Sequence, residues 1–149
     1  MTKHELTTKP KYREVRLEDS FCNENAESVV REERETERIY DLEERMAKFG
    51  ETVIDFAKQV PQNAKTNRII SQFVRAATSV GANYVEADGA VSKNEFLKNI
   101  GTCRKEAREA THFLRMIVLA VPELIGQART LWLEAKELNL IFSKIWRSK

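Results

Sequence analysis

Apolar side chains recur at intervals of three and four along four successive stretches of this chain, the spacing that gathers them on one side of an α-helix. The first stretch, from about Asp41 to Val60, carries Leu42, Met46, Phe49, Val53, Phe56, Ala57 and Val60 in that rhythm. Asp41 is placed to cap it with Glu44 three residues on, and Pro61 closes it. Gly50 falls inside the run and costs about 1 kcal/mol relative to Ala unless a neighbouring helix needs the close approach it allows. After the polar linker Gln62 to Asn67, Thr66 or Asn67 can cap a second helix that reaches Asp88, with Gly89 as its stop. Its apolar residues, Ile69, Ile70, Phe73, Val74, Ala77, Val80, Tyr84 and Val85, cover an arc wide enough to face more than one neighbour. Ala76, Gly81 and Ala82 are small enough to let another helix come close.

A capping box, Ser92-Lys93-Asn94-Glu95, opens the third helix, which runs to about Leu119. Its stripe of Phe96, Ile100, Cys103, Ala107, Ala110, Leu114, Ile117 and Val118 puts Cys103 on the core side as a small hydrophobe. Pro122 suits the first turn of a fourth helix, along which Leu124, Ala128, Leu131, Trp132, Ala135, Leu138, Phe142, Ile145 and Trp146 repeat to the C-terminus. Short links force antiparallel neighbours, so the pattern predicts an all-α fold: an antiparallel up-down-up-down four-helix bundle over residues 40–149. Residues 1–39 are dense in charge, with Phe21, Val29 and Val30 isolated among ions, and predict a charged N-terminal arm that cannot bury a core of its own. Its last third, from Ser28, is rich in helix formers and could extend the first helix upstream.

Composition agrees with one domain of this kind: 149 residues, 42% hydrophobic and 32% charged, with five Gly and three Pro to make turns. The net charge of +2 is unevenly divided. Residues 1–40 hold eight Lys/Arg against ten Asp/Glu, and residues 41–149 hold seventeen against thirteen, so the bundle is mildly basic. No run approaches the roughly 20 apolar residues of a membrane span, and MTKHELTTKP lacks the apolar core of a signal peptide. A cytoplasmic protein without membrane contact is expected. Cys22 and Cys103 are too few and too scattered for a disulfide framework or a zinc knuckle and are expected to be reduced thiols.

Candidate chemistry is sparse. His4 and His112 are far apart, and His112 has no second ligand at metal-binding spacing on its face, so it is expected at the surface. Asn83 and Glu86 lie one turn apart, but no Glu-x-x-His pair accompanies them, which disfavours a di-iron bundle. They are expected to be polar packing, bonded across to a neighbouring helix or subunit. There is no Gly-rich phosphate loop, no Ser-x-x-Lys and no nucleophile arrangement. No catalytic residue, metal or cofactor is expected. Trp132 and Trp146 fall on the apolar stripe and are expected in core or interface, not as base-stacking platforms.

The second and third helices carry a recognisable pattern: Gln72, Arg75, Ala76, Ser79, Asn83 and Glu86, then Ser92, Glu95 and Phe96, closing with Glu134-Ala135-Lys136-Glu137-Leu138, Ile141 and Phe142. In these the chain resembles the bacterial four-helix bundle proteins encoded within intervening sequences of 23S ribosomal RNA genes, a family related to the accessory variability determinant of diversity-generating retroelements. The likeness covers about Asp41 to Ile145, with two departures: family members usually carry Pro near Gly81 and Gly at the position of Ala87. The resemblance implies a homopentameric ring of bundles, a non-enzymatic role, and nucleic acid or a reverse transcriptase as partner in the retroelement branch. It also marks Arg75, Asn83 and Glu86 as the polar residues of the family motif.

The third helix holds a distribution of charge that could serve a partner. Taking Lys93 as zero, Arg104, Arg108 and Arg115 fall at about 20°, 60° and 40°, with Lys105 and Lys98 at about 120° and 140°. Glu109, Glu95 and Glu106 occupy about 160° to 220°, and the apolar stripe takes the remainder. One flank is therefore cationic and the other acidic. The cationic strip, Lys93, Lys98, Arg104, Lys105, Arg108 and Arg115, could track the phosphates of RNA or DNA through salt-sensitive, sequence-independent contacts. Flanks of opposite sign equally suit a head-to-tail contact that closes a homo-oligomeric ring, or a solvated face laced with local ion pairs. The leading expectation is a non-catalytic, ring-forming bundle that binds nucleic acid through this strip; the alternative is a structural adaptor for a protein such as a reverse transcriptase.

Overall fold

The computed structural model describes residues 42–148, and the charged arm expected over residues 1–39 lies outside them. Four α-helices follow in order: α1, Leu42–Gln59; α2, Thr66–Asp88; α3, Lys93–Ala120; and α4, Ile125–Arg147. A 3-10 turn, Pro122–Leu124, joins α3 to α4, and no strand occurs among the described residues. The fold class read from the apolar spacing is the one observed.

Each helix buries the centre of the stripe that its sequence draws, whereas Val85 on α2, placed on its stripe, is exposed. Met46, Phe49, Val53 and Phe56 are buried on α1, and Phe73, Ala76, Ala77, Val80 and Ala87 on α2. From α3 come Ile100, Cys103, Ala107, Ala110, Leu114, Ile117 and Val118, and from α4 Ala128, Leu131, Trp132, Ala135, Leu138 and Phe142. Phe56 meets Phe73 edge-on at 5.9 Å between ring centres, an arrangement aromatic quadrupoles favour.

Cross-helix contacts give the directions. Met46 lies against Gly81 while Phe56 lies against Phe73, so α1 and α2 run oppositely. The Cys103 thiol donates to the Val80 carbonyl at 3.4 Å, and further along Arg75 pairs with Glu106 and Glu109, so α2 and α3 do the same. Gly101 faces Trp146 while Arg104 meets Ser143, which sets α4 antiparallel to α3. The α2–α3 interface is the most extensive, α1 rests mainly on α2, and the α1–α4 seam is slender. A bidentate pair crosses that slender seam: Arg45 Nε and Nη2 donate to the two Glu134 oxygens at 2.6 and 2.9 Å.

Several local expectations are refined by side-chain geometry. Neither Thr66 nor Asn67 caps α2. Asn63 performs that task one turn earlier, its Oδ1 accepting from the N–H groups of Lys65 at 2.9 Å and Thr66 at 3.1 Å. The Thr66 hydroxyl instead donates back to the Pro61 carbonyl at 2.5 Å and accepts from the Asn63 N–H at 3.0 Å, which ties the linker down. Ser92 caps α3 as expected, accepting from Glu95 N at 3.2 Å; the Glu95 carboxylate reaches one residue further than a standard box, to the Val91 N–H at 3.1 Å. Pro122 starts the 3-10 turn and not α4 itself. Gly50 is not a point of close approach, since a Cβ there would meet nothing within 4 Å. Gly81 is: a Cβ would come 3.3 Å from Met46 Cβ.

Candidate nucleic-acid interface

The two charged flanks of α3 face different neighbours. Residues at about 160° and 220° on its wheel, Glu109 and Glu106, turn toward α2. There Arg75 answers both: its Nη1 donates to Glu106 Oε2 at 3.3 Å, its Nη2 donates to Glu109 Oε1, and its Nε donates to Gln72 Oε1 at 3.2 Å. Glu106 retains 12% of its side-chain exposure and Glu109 30%, so this guanidinium holds two carboxylates that are largely covered. The opposite flank meets α4. The indole of Trp146 lies against α3 at Gly101, at about 80°, where a Cβ would meet its Nε1 at an ordinary 3.7 Å.

Arg104 stands where the cationic flank touches α4. Its Nε donates to Ser143 Oγ at 3.0 Å, its guanidinium carbon lies 5.1 Å from the Trp146 ring centre, and its backbone carbonyl accepts from Asn139 Nδ2 at 2.8 Å. Arg104 is thus half-buried and held. The other five cations differ: Lys93, Lys98, Lys105, Arg108 and Arg115 are exposed, and their charged groups make no ion pair among the described residues. The last turn of α4 adds Lys144 and exposed Arg147 beside Trp146. The structure therefore brings the strip together on one helix and docks one member of it.

The motif residues separate by role. Arg75 bridges helices. Asn83 does not bond across to a neighbour; its Nδ2 donates to the Ser79 carbonyl one turn back on α2, at 2.8 Å, because so short an amide reaches its own backbone first. Glu86 is exposed near the end of α2. Sequence reasoning gave no partner to Glu134 of the closing segment, which takes Arg45 from 89 residues away. Nothing local signals such a pair.

The remaining candidates carry little chemistry. His112 is exposed, with its ring edge-on to that of the adjacent Phe113 at 5.4 Å between ring centres. Among the described residues no group of three His, Cys, Asp or Glu could hold a metal ion, and no helix is long and apolar enough to cross a membrane. Cys103 is fully enclosed, and burial pushes its thiol up from 9.0 to about 12. The tryptophans divide: Trp132 is buried beneath the Lys136 ammonium, 4.9 Å from its ring centre, whereas Trp146 is 46% exposed. Core placement therefore holds for Trp132 alone.

A family model described as 23S rRNA-intervening sequence protein matches residues 38–121. Among solved structures, the chain is similar to a protein of unknown function from the S23 ribosomal protein family of Bacteroides thetaiotaomicron, with 21% identity and a TM-score of 0.64. That match covers 71% of this chain and 98% of the other, and it shows a shared fold. No curated protein matches the chain.

Proposed function

This chain belongs to the 23S rRNA-intervening sequence protein family, and from the state of its α3 flank we propose that it is a non-catalytic bundle that binds RNA or DNA through Lys93, Lys98, Arg104, Lys105, Arg108 and Arg115. One observation carries this reading. Five of these cations are exposed and unpaired among the described residues, while two of the three carboxylates of the acidic flank, Glu106 and Glu109, already engage Arg75 within the same chain. A head-to-tail contact built on opposite-sign flanks would need those carboxylates free. A polyanion needs only the cations, and each phosphate they neutralise releases a condensed counterion.

The reading includes self-association, as the family resemblance implies. A strip of this size is modest, and repeating it around a homo-oligomer would raise the avidity without any new contact. The test is a mobility-shift titration of the full chain with RNA and DNA at about 50 and 200 mM salt. Binding at the lower salt that weakens steeply at the higher is expected. Failure to bind either polymer at low salt would remove the proposal and leave a protein partner, such as a reverse transcriptase, as the occupant to seek.

A further inference from the structure

We propose that Arg104 and Trp146 form a stacking site for an unpaired base, so that the nucleic acid taken by α3 is single-stranded. This rests on the nucleic-acid reading above and narrows it. Trp146 is among the most exposed of the large apolar side chains, at 46%, although it lies on the same helical stripe as buried Leu138 and Phe142. A surface indole of that kind is normally hidden by rotating it into the helix interface. Here it is fixed in place instead: its edge lies against α3 at Gly101, and the Arg104 guanidinium lies over the ring at 5.1 Å.

The same arrangement orders the arginine. Its Nε is committed to Ser143, itself buried, so the plane of the guanidinium is set and its two Nη groups, unpartnered among the described residues, are left for an outside acceptor. An Arg held in this way is ready to take a phosphate in a planar fork with little further loss of side-chain freedom. Aromatic surface beside an ordered guanidinium, with Lys144 and Arg147 on α4 and Lys98 and Lys105 on α3 as further cations, is the combination that binds a strand by its backbone while a base stacks. A duplex keeps its bases stacked on one another and offers this indole nothing but sugar and phosphate. The preference for an unpaired base follows from that difference.

The protein reports on itself. Trp146 is its exposed indole and Trp132 its buried one, so a base stacking at the site quenches emission from the unmodified chain. The titration compares a mixed-sequence RNA and DNA strand of about 12 nucleotides with the corresponding duplexes. The expected result is saturable quenching by the single strands and none by the duplexes. Trp146→Leu weakens single-strand binding about tenfold and duplex binding by much less, while Trp146→Phe, which keeps an aromatic plane, restores most of the loss. Salt-sensitive binding of both forms with no change in emission, or a Trp146→Leu chain that binds as the native one does, overturns this proposal and leaves the cationic strip standing. Absence of binding to any of the four polymers overturns both.

Discussion

Along α3, the flank turned to α2 and the flank turned to α4 carry comparable densities of charge, and the fold brings them to opposite states. On the α2 side, Ala76, Ala77 and Ala110 are fully buried, Cys103 bonds to the Val80 carbonyl, and Arg75 closes the edge over Glu106 and Glu109. On the α4 side the packing ends at Arg104 and Trp146, and beyond it Lys105, Arg108 and Arg115 stand in solvent. Small residues explain the first state, because they let two helices approach until only polar atoms at the rim remain to be satisfied. In the second state no carboxylate among the described residues pairs with Lys105, Arg108 or Arg115, and Glu134 of α4 is taken by Arg45. A helical wheel shows two faces of opposite sign. The tertiary structure leaves one of them available.

The largest contrast should appear in the reactivity of Cys103, which sits inside the closed seam. At pH 8 its alkylation in a Cys22→Ser chain should be slowed at least about a thousandfold relative to the unfolded chain, since reaction requires opening of the core. Burial also fixes the sign of an alkaline effect. The folded thiol keeps its proton to about pH 12 and the unfolded thiol loses it near 9.0. This contribution to stability is complete below pH 9 and is lost as pH rises toward 12. Rapid labelling of the native protein at pH 8 would contradict the closed seam.

Overpacking sharpens the comparison within two adjacent residues. Ala107→Leu forces a larger side chain into the fully enclosed core and should cost about 1 to 3 kcal/mol, measured by urea unfolding. Arg108→Gln, one residue on, should change stability by less than about 0.5 kcal/mol. The rim of the closed seam is intermediate: Arg75→Gln leaves Glu106 and Glu109 facing each other without a cation and should cost about 1 kcal/mol, limited by the 46% exposure of Arg75. Equal losses at 107 and 108 would mean that the two flanks are not different in kind.

Much of this fold was legible because burial follows periodicity. The residues spaced by three and four on α1 and α3 are those the core encloses, and Ser92 with Glu95 marked the start of α3 by a local hydrogen-bond pattern that needs no tertiary knowledge. Local competition accounts for the small displacements. Asn63 captured the first turn of α2 ahead of Thr66, and Asn83 bonded to Ser79 instead of reaching across. The candidate site was legible as a set of cations, because a helix places Lys93 through Arg115 on one side whatever packs against it. Which of them are used was not legible, since Ser143 is 39 residues from Arg104, and Glu106 and Glu109 are 31 and 34 from Arg75. Spacing along one helix gives angles; it does not say which helix occupies each angle. The exposure of Trp146 was hidden for the same reason, because a stripe residue at the end of a helix is covered only if its neighbour extends that far.

The central claim is that the α4-side flank of α3 is open to polyanions while the α2-side flank is closed. The most direct measurement is the slope of log affinity for single-stranded RNA against log salt, compared between the native chain and one carrying Lys105→Gln, Arg108→Gln and Arg115→Gln. Removing three phosphate contacts should flatten the slope by about 2, at roughly 0.7 per contact on a single strand, with helix content unchanged. An identical slope in the two chains would contradict the account.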